Sequence, residues 1–159
     1  MRGKRLFELD NGEKVVWSGK PELASFYPIL IAGVLALFAG LLSLLAFFNV
    51  FTAALFVVSI IFCASMYILA VALRRAYTYT LTNQRVRSEF RLVVSRVSEA
   101  RLQSVTNVSA YQGFWGRLLN FGHVRTDTPA SPLGSVFFTG IREFSKVQEE
   151  VKKLTGSAK

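Results

Sequence analysis

The middle third of the chain lacks ionisable side chains: between Leu23 and Leu73 there is no Asp, Glu, Lys or Arg. The 159 residues also include a single cysteine, Cys63, and a single histidine, His123. One cysteine excludes a disulfide within the chain and a cysteine-based zinc site. A lone histidine without a Cys, Asp or Ser partner supports neither metal binding nor base catalysis. We therefore expect no enzyme, no catalytic residues, no metal and no cofactor.

The composition divides the chain into three parts. Hydrophobic residues make up 52% of it, which excludes a disordered chain. The net charge of +9 lies almost entirely in residues 74–159, which contain fourteen basic and six acidic side chains. We expect an N-terminal segment at 1–22, a membrane segment at 23–73 and a globular domain at 74–155.

The uncharged stretch predicts a transmembrane hairpin of two helices. A spanning helix needs about 20 apolar residues, whereas 51 residues in one helix would reach about 77 Å, more than twice the thickness of the hydrocarbon. Asn49 is the only amide in the stretch and lies near its centre. The predicted spans are therefore about 27–48 and 51–73, with Asn49 at the turn.

The charges beside the spans predict their orientation. Lys14 and Lys20 precede the first span, Arg74 and Arg75 follow the second, and the turn has no charge. Basic flanks stay in the cytoplasm, so both chain ends are expected to be cytoplasmic in a multi-pass protein of the cell membrane. Aromatic residues on both sides are predicted to form an interfacial belt: Trp17, Phe26, Tyr27, Tyr77 and Tyr79.

Small residues recur every four positions in the first span, at Ala32, Ala36 and Gly40. Such a stripe lets two helices approach closely, and it either packs the two spans together or joins two copies of the chain. No ionisable residue lies inside the spans, although transporters and channels normally need one there. The hairpin is therefore predicted to be an anchor.

The part after the membrane segment predicts a β domain with a terminal helix. Alternation indicates strands near 77–82 and 85–91, with further candidates at 92–98, 101–105, 106–111, 121–127 and 135–140. Residues 113–120 suit a short helical turn, and an apolar stripe predicts an amphipathic helix over 142–154. Together they predict an antiparallel β-sandwich or open barrel capped by the helix, giving a membrane-anchored α+β protein.

Several motifs resemble the bacterial and archaeal pleckstrin-homology-like (PH-like) membrane protein family, formerly a domain of unknown function. A W-x-G-x-P run includes Trp17 and Pro21, and a Y-x-L-T-N-x-R strand pair begins at Tyr79. The most specific block comprises Gln112, Gly116, Arg117, Leu118, Leu119, Phe121, Gly122 and Val124. The resemblance implies two nearly orthogonal antiparallel sheets, a C-terminal helix, a structural role for these motif residues, and binding or scaffolding without enzymatic activity.

The basic side chains of the β domain have three possible roles. The set comprises Arg74, Arg75, Arg85, Arg87, Arg91, Arg96 and Arg101. They contact anionic headgroups, bind a protein partner, or serve solubility and topology alone. Arg74 and Arg75 are assigned to topology and lipid contact because they adjoin the second span.

Two functions follow from these patterns. The preferred one is a membrane-anchored interaction module that binds a protein partner or its own copies, and the alternative is a sensor of anionic lipid headgroups. Membrane lipids and a protein partner or homo-oligomer are the expected partners. Gly113 and Gly116 match a GXXG loop, but the surrounding strands and the nearby anchor argue against nucleic acid. No residue pattern indicates a small-molecule substrate.

Overall fold

The computed structural model describes residues 12–129 and 135–157. It contains a helical hairpin, two antiparallel sheets and a C-terminal helix, which confirms the predicted fold class. The elements in chain order are β1 (Val15–Gly19), α1 (Tyr27–Ala46), α2 (Val50–Ala76), β2 (Tyr77–Thr82), β3 (Arg85–Arg91), β4 (Ser95–Arg101), β5 (Asn107–Tyr111), α3 (Phe114–Leu118), β6 (Gly122–Asp127), β7 (Val136–Ile141) and α4 (Phe144–Ser157).

The two long helices meet at Asn49, the residue predicted to form the turn. Its side chain accepts a hydrogen bond of 3.0 Å from the backbone N–H of Thr52, and the Thr52 hydroxyl accepts one from the Asn49 N–H, forming a capping box. α1 ends two residues earlier than expected, and α2 runs without a break into β2. Both helices are long and apolar enough to cross a membrane, and most of their surface is exposed.

Glycine lets α1 and α2 pack closely. A methyl group on Gly40 would lie 2.3 Å from the Ser59 hydroxyl oxygen, and one on Gly33 would lie 3.2 Å from Cβ of Met66. Ala32 is exposed, so it does not belong to this contact. The close-packed positions between the two spans are Gly33 and Gly40 with the half-buried Ala36 between them. Ala32 does not take part in this contact, and the joining of two copies through the stripe stays a prediction.

The first sheet joins strands from both sides of the hairpin. Its order is β1-β2-β3-β4, all antiparallel, and β1 pairs with β2 through Trp17 opposite Leu81. The hairpin is thus an insertion between two neighbouring strands of one sheet. No strand was predicted in residues 1–22, where β1 lies; the first eleven of these residues lie outside the described part of the chain.

The second sheet has the order β5-β6-β7, and its inner face packs on that of the first. α4 contributes Val147 and Val151 to the core, as its apolar stripe predicted. Two predicted strands differ in the structure. Residues 101–105 contain a single 3-10 turn at Leu102–Ser104, and β4 begins at Ser95 because residues 92–94 form the connection from β3.

Candidate interaction surface

Three contacts join the two ends of the hairpin to each other and to β7 of the second sheet. The Glu22 N–H donates a 2.7 Å hydrogen bond to the Gly140 carbonyl, and Arg74 Nε donates one of 3.2 Å to the Pro21 carbonyl. Gly140 has a φ of +70°, and a methyl group on it would lie 2.3 Å from Cβ of Ser25. Only glycine combines that backbone conformation with such a close approach. The helices are therefore held against β7 rather than tethered by a loose linker.

Three of the predicted contact arginines form an ion-pair ladder with glutamates. Arg85 Nη1 lies 2.6 Å from Glu99 Oε1, and Arg87 Nε lies 2.7 Å from Glu89 Oε1. Arg87 Nη1 also lies 3.5 Å from Glu99, and Arg91 pairs with Glu89. The sequence interpretation gave β3 a charged, solvent-facing side, but Arg87 and Glu89 are each only 8% exposed.

The ladder begins at a glutamate from the N-terminal segment. Glu13 accepts a 2.6 Å hydrogen bond from the Thr82 hydroxyl and lies 3.9 Å from Arg85 Nε. Arg85 stands opposite Arg101 in the register of β3 and β4, a like-charge pair that would repel. Glu13 and Glu99 compensate that repulsion. The ladder thus contains three arginines and three glutamates, and it does not form a uniformly basic face.

The remaining predicted arginines are exposed and lie at different ends of the sheet. Arg74 and Arg75 form the last turn of α2. Arg96 stands opposite Phe90, which itself pairs with Tyr77, the first residue after α2. Arg101 lies at the far end, opposite Arg85. The structure therefore brings Arg74, Arg75 and Arg96 to the hairpin end of the domain and leaves Arg101 apart from them.

A groove of about 470 Å³ opens between β7 and the inner face of the first sheet. Aromatic rings, hydroxyl groups and one guanidinium line it, including Tyr77, Ser88, Phe90, Arg96, Phe137 and Thr139. Its volume falls in the range of about 300–1,000 Å³ typical of binding sites. Arg96 was predicted as a contact residue, but the groove was not predicted, because it forms only where the two sheets meet.

The chain matches a known protein family over most of its length. The family model described as "Bacterial PH domain" matches residues 21–155, most of the chain and both helices of the hairpin. The chain belongs to the bacterial PH domain family. No curated protein and no solved structure matches it significantly. The assignment confirms the resemblance drawn from the sequence motifs, and PH-like domains are typically binding modules without catalytic activity.

The motif block of this PH domain holds the loop between β5 and β6 together. The Gln112 amide donates to the carbonyls of Gly116 (3.2 Å) and Phe121 (3.3 Å). A methyl group on Gly116 would lie 2.5 Å from the Phe121 carbonyl oxygen, so this position requires glycine. Gly122 is equally close to the Phe144 ring of α4. These contacts give Gln112, Gly116 and Gly122 a structural role.

Three other block residues face outward. Arg117, Leu118 and Leu119 are all exposed, although the resemblance implied a structural role for them. Within the short α3, Trp115 packs on Tyr27 at 5.3 Å between ring centroids. This contact turns α3 towards the start of α1.

Two residues assigned to the interfacial belt belong to the interior of the PH domain. Tyr79 is buried and stacks on Phe138 at 5.0 Å, and Trp17 packs against the same ring at 5.7 Å. Pro21 is also buried, close to Gly140. Trp17 and Pro21 thus act in packing, and Tyr27 and Tyr77 lie at the ends of the hairpin.

Two further titratable groups of the PH domain, His123 and Asp127, are engaged in the fold. Burial lowers the pKa of His123, whose Nδ1 accepts a hydrogen bond from the Gly140 N–H at 3.3 Å. Hydrogen bonds from Arg125 and Ser135 lower the pKa of Asp127. Within residues 12–129 and 135–157, no three His, Cys, Asp or Glu side chains come together as a metal site.

Proposed function

We propose that this bacterial PH domain protein is a membrane-anchored binding module whose hairpin spans the bilayer twice and whose groove takes an extended segment of a partner protein. The observation that carries the proposal is the insertion of the hairpin between β1 and β2. An anchor built into the sheet itself holds the groove at a fixed height above the lipid. Both helices leave the sheet at the same end, which supports chain ends in one compartment.

The cytoplasmic side is supported by charge. Arg74 and Arg75 occupy the last turn of α2, at the boundary with the PH domain. The turn at Asn49 has no charge. The excess of basic residues at the domain side favours retention of that side in the cytoplasm.

The groove supports a peptide partner through its chemistry. β7 is an edge strand of the second sheet, and its Thr139 and Gly140 carbonyls already accept hydrogen bonds from Tyr79 and Glu22. An added strand would therefore pair along the part of β7 that precedes Thr139. The exposed Phe137 ring and the half-buried Tyr77 ring suit apolar side chains, and Arg96 suits a carboxylate. A segment of a second copy of the chain would satisfy the same requirements.

The test is photo-crosslinking in cells with a benzophenone amino acid at Phe137, in the groove, and at Lys152, exposed on α4, as the control. A discrete protein adduct from the Phe137 position only is expected, and its mass distinguishes a partner from a second copy. No adduct above the control would contradict groove binding, although membrane anchoring would stand.

A second candidate, the binding of anionic headgroups, is favoured by the exposed Arg74, Arg75 and Arg96 at the hairpin end. Native mass spectrometry of the protein from mild detergent tests it. Retained phosphatidylglycerol that is lost in the Arg96→Ala variant but kept in Arg101→Ala supports this candidate; equal retention in both variants contradicts it.

A further inference from the structure

Two apolar segments outside the hairpin are strongly exposed. The connection between β3 and β4 consists of Leu92, Val93 and Val94, and Val93 is 95% exposed. In α3, Phe114 is 78% exposed and Leu118 is also open to the surroundings. Exposed apolar clusters of this kind mark contact with another protein or with a membrane.

Strand register places the first segment beside α2. Tyr77, the first residue after α2, pairs with Phe90, and Arg91 pairs with Ser95. Residues 92–94 therefore extend beyond the end of the sheet from which the hairpin emerges, and β3 contacts α2 directly. The Asn83–Gln84 turn lies at the opposite end of the same strand pair.

A ring contact places the second segment beside α1. Trp115 stacks on Tyr27, which is the first residue of α1. The two exposed segments therefore lie at the two points where the apolar helices meet the PH domain. Their apolar surface adjoins the exposed surface of helices that are long enough to span a bilayer.

The neighbouring charges suit a lipid boundary. Arg91 and Arg96 flank the β3–β4 connection, and Arg117 lies between Trp115 and Leu118 in α3. Apolar and aromatic side chains with adjacent arginines are typical of elements that lie in the interfacial plane, where the stems enter the acyl region and the guanidinium groups stay among the phosphates.

We propose that residues 92–94 and α3 insert into the headgroup–acyl boundary of the bilayer that the hairpin spans. The inference rests on the proposed membrane insertion of the hairpin. The PH domain is then fixed to the membrane at three places, and its groove, which includes Val94 and Arg96, opens next to the lipid surface. A partner segment must approach along the membrane.

The experiment uses the full chain in nanodiscs of phosphatidylcholine and phosphatidylglycerol, with Cys63→Ala as background. Single cysteines are introduced by Val93→Cys and Phe114→Cys, labelled with the fluorophore NBD and quenched with nitroxide-bearing lipids. Gln84→Cys, exposed at the far end of the β2–β3 pair, is the aqueous control, and Phe38→Cys, exposed in α1, is the control for hairpin insertion.

We expect blue-shifted emission and several-fold stronger quenching for Val93→Cys and Phe114→Cys than for Gln84→Cys. Adding Leu92→Asp to Val93→Cys should reduce its quenching to the Gln84→Cys level. If Val93→Cys and Phe114→Cys are quenched no more than Gln84→Cys while Phe38→Cys is quenched, the inference is overturned and the proposed function stays intact. A blue shift without lipid quenching would mean burial against protein and would also overturn it. If the label at Phe38→Cys is itself not quenched by the lipids, the proposed membrane anchor is contradicted.

Discussion

The Tyr79 hydroxyl donates a hydrogen bond of 3.2 Å to the Thr139 carbonyl, which joins the first sheet to the second. Tyr79 belongs to β2, the strand that continues directly from α2, and Thr139 belongs to β7, which also contacts the segment before α1. The same pair of strands therefore connects the sheets to each other and to the hairpin. Packing of the domain and its position above the hairpin depend on one junction.

Removal of the hydroxyl tests that junction. Tyr79→Phe keeps the buried ring and loses the hydrogen bond, which should lower the free energy of unfolding by about 1 kcal/mol. Thermal unfolding in detergent, followed by near-ultraviolet circular dichroism, measures the difference. A variant as stable as the wild-type protein would contradict the assigned contact.

The same residue predicts a pH dependence. Burial raises the pKa of Tyr79 to about 12, above the ordinary value of 10.0 expected in the unfolded chain. The hydroxyl therefore ionises first in the unfolded state. The contribution of un-ionised Tyr79 to the free energy of unfolding is complete below about pH 10 and is lost as the pH rises to about 12. The stability advantage of the wild-type protein over Tyr79→Phe should shrink across that window. A constant difference would show that Tyr79 ionises normally.

Helix packing in the hairpin depends on Gly40. Gly40→Val must push Ser59 away and is expected to cost about 1–3 kcal/mol, whereas Ala32→Val on the exposed face should change stability by less than about 0.5 kcal/mol. Denaturation of the two variants in mixed detergent micelles measures both. Equal losses would mean that the interface includes Ala32, as the sequence stripe suggested.

The buried part of the ion-pair ladder should tolerate substitution poorly. Arg87→Ala removes the 2.7 Å partner of the buried Glu89 carboxylate, while the more exposed Arg91 still pairs with it, so we expect a loss of about 1–3 kcal/mol. Arg101→Ala removes an exposed charge and should cost less than about 0.5 kcal/mol. Chemical unfolding measures the free energy of unfolding of both variants, and similar losses in the two would contradict the burial of Arg87.

The docking of the hairpin onto β7 should require Gly140. Gly140→Ala imposes a positive φ on a side-chain residue and a contact with Ser25, and we expect a loss of at least about 1–2 kcal/mol. Adding Ser25→Gly should restore only part of it, since the backbone cost stays. Gly156→Ala, where the added methyl meets nothing within 4 Å, is the thermal-unfolding control. Full rescue by Ser25→Gly would show that the backbone conformation is unimportant.

Local patterns predicted the elements whose signals are local. The absence of charge from Leu23 to Leu73 defined the hairpin, and alternation defined β2 and β3. β1 escaped prediction because its partner lies beyond the entire hairpin, where Trp17 meets Leu81. Pairing across strands, and not residue type, decides that Arg87 is buried and Arg96 exposed. The groove likewise needs two sheets in place, so its aromatic residues carried no distinguishing signal in the sequence.

The most direct test of the account is the topology of the hairpin in intact cells. In the Cys63→Ala background, Phe48→Cys places a thiol at the exposed turn and Gln84→Cys places one in the PH domain. A membrane-impermeant maleimide should label Phe48→Cys in intact cells and label Gln84→Cys only after lysis. Labelling of Gln84→Cys from outside, or labelling of both variants only after lysis, would contradict a hairpin that crosses the bilayer twice with its domain in the cytoplasm.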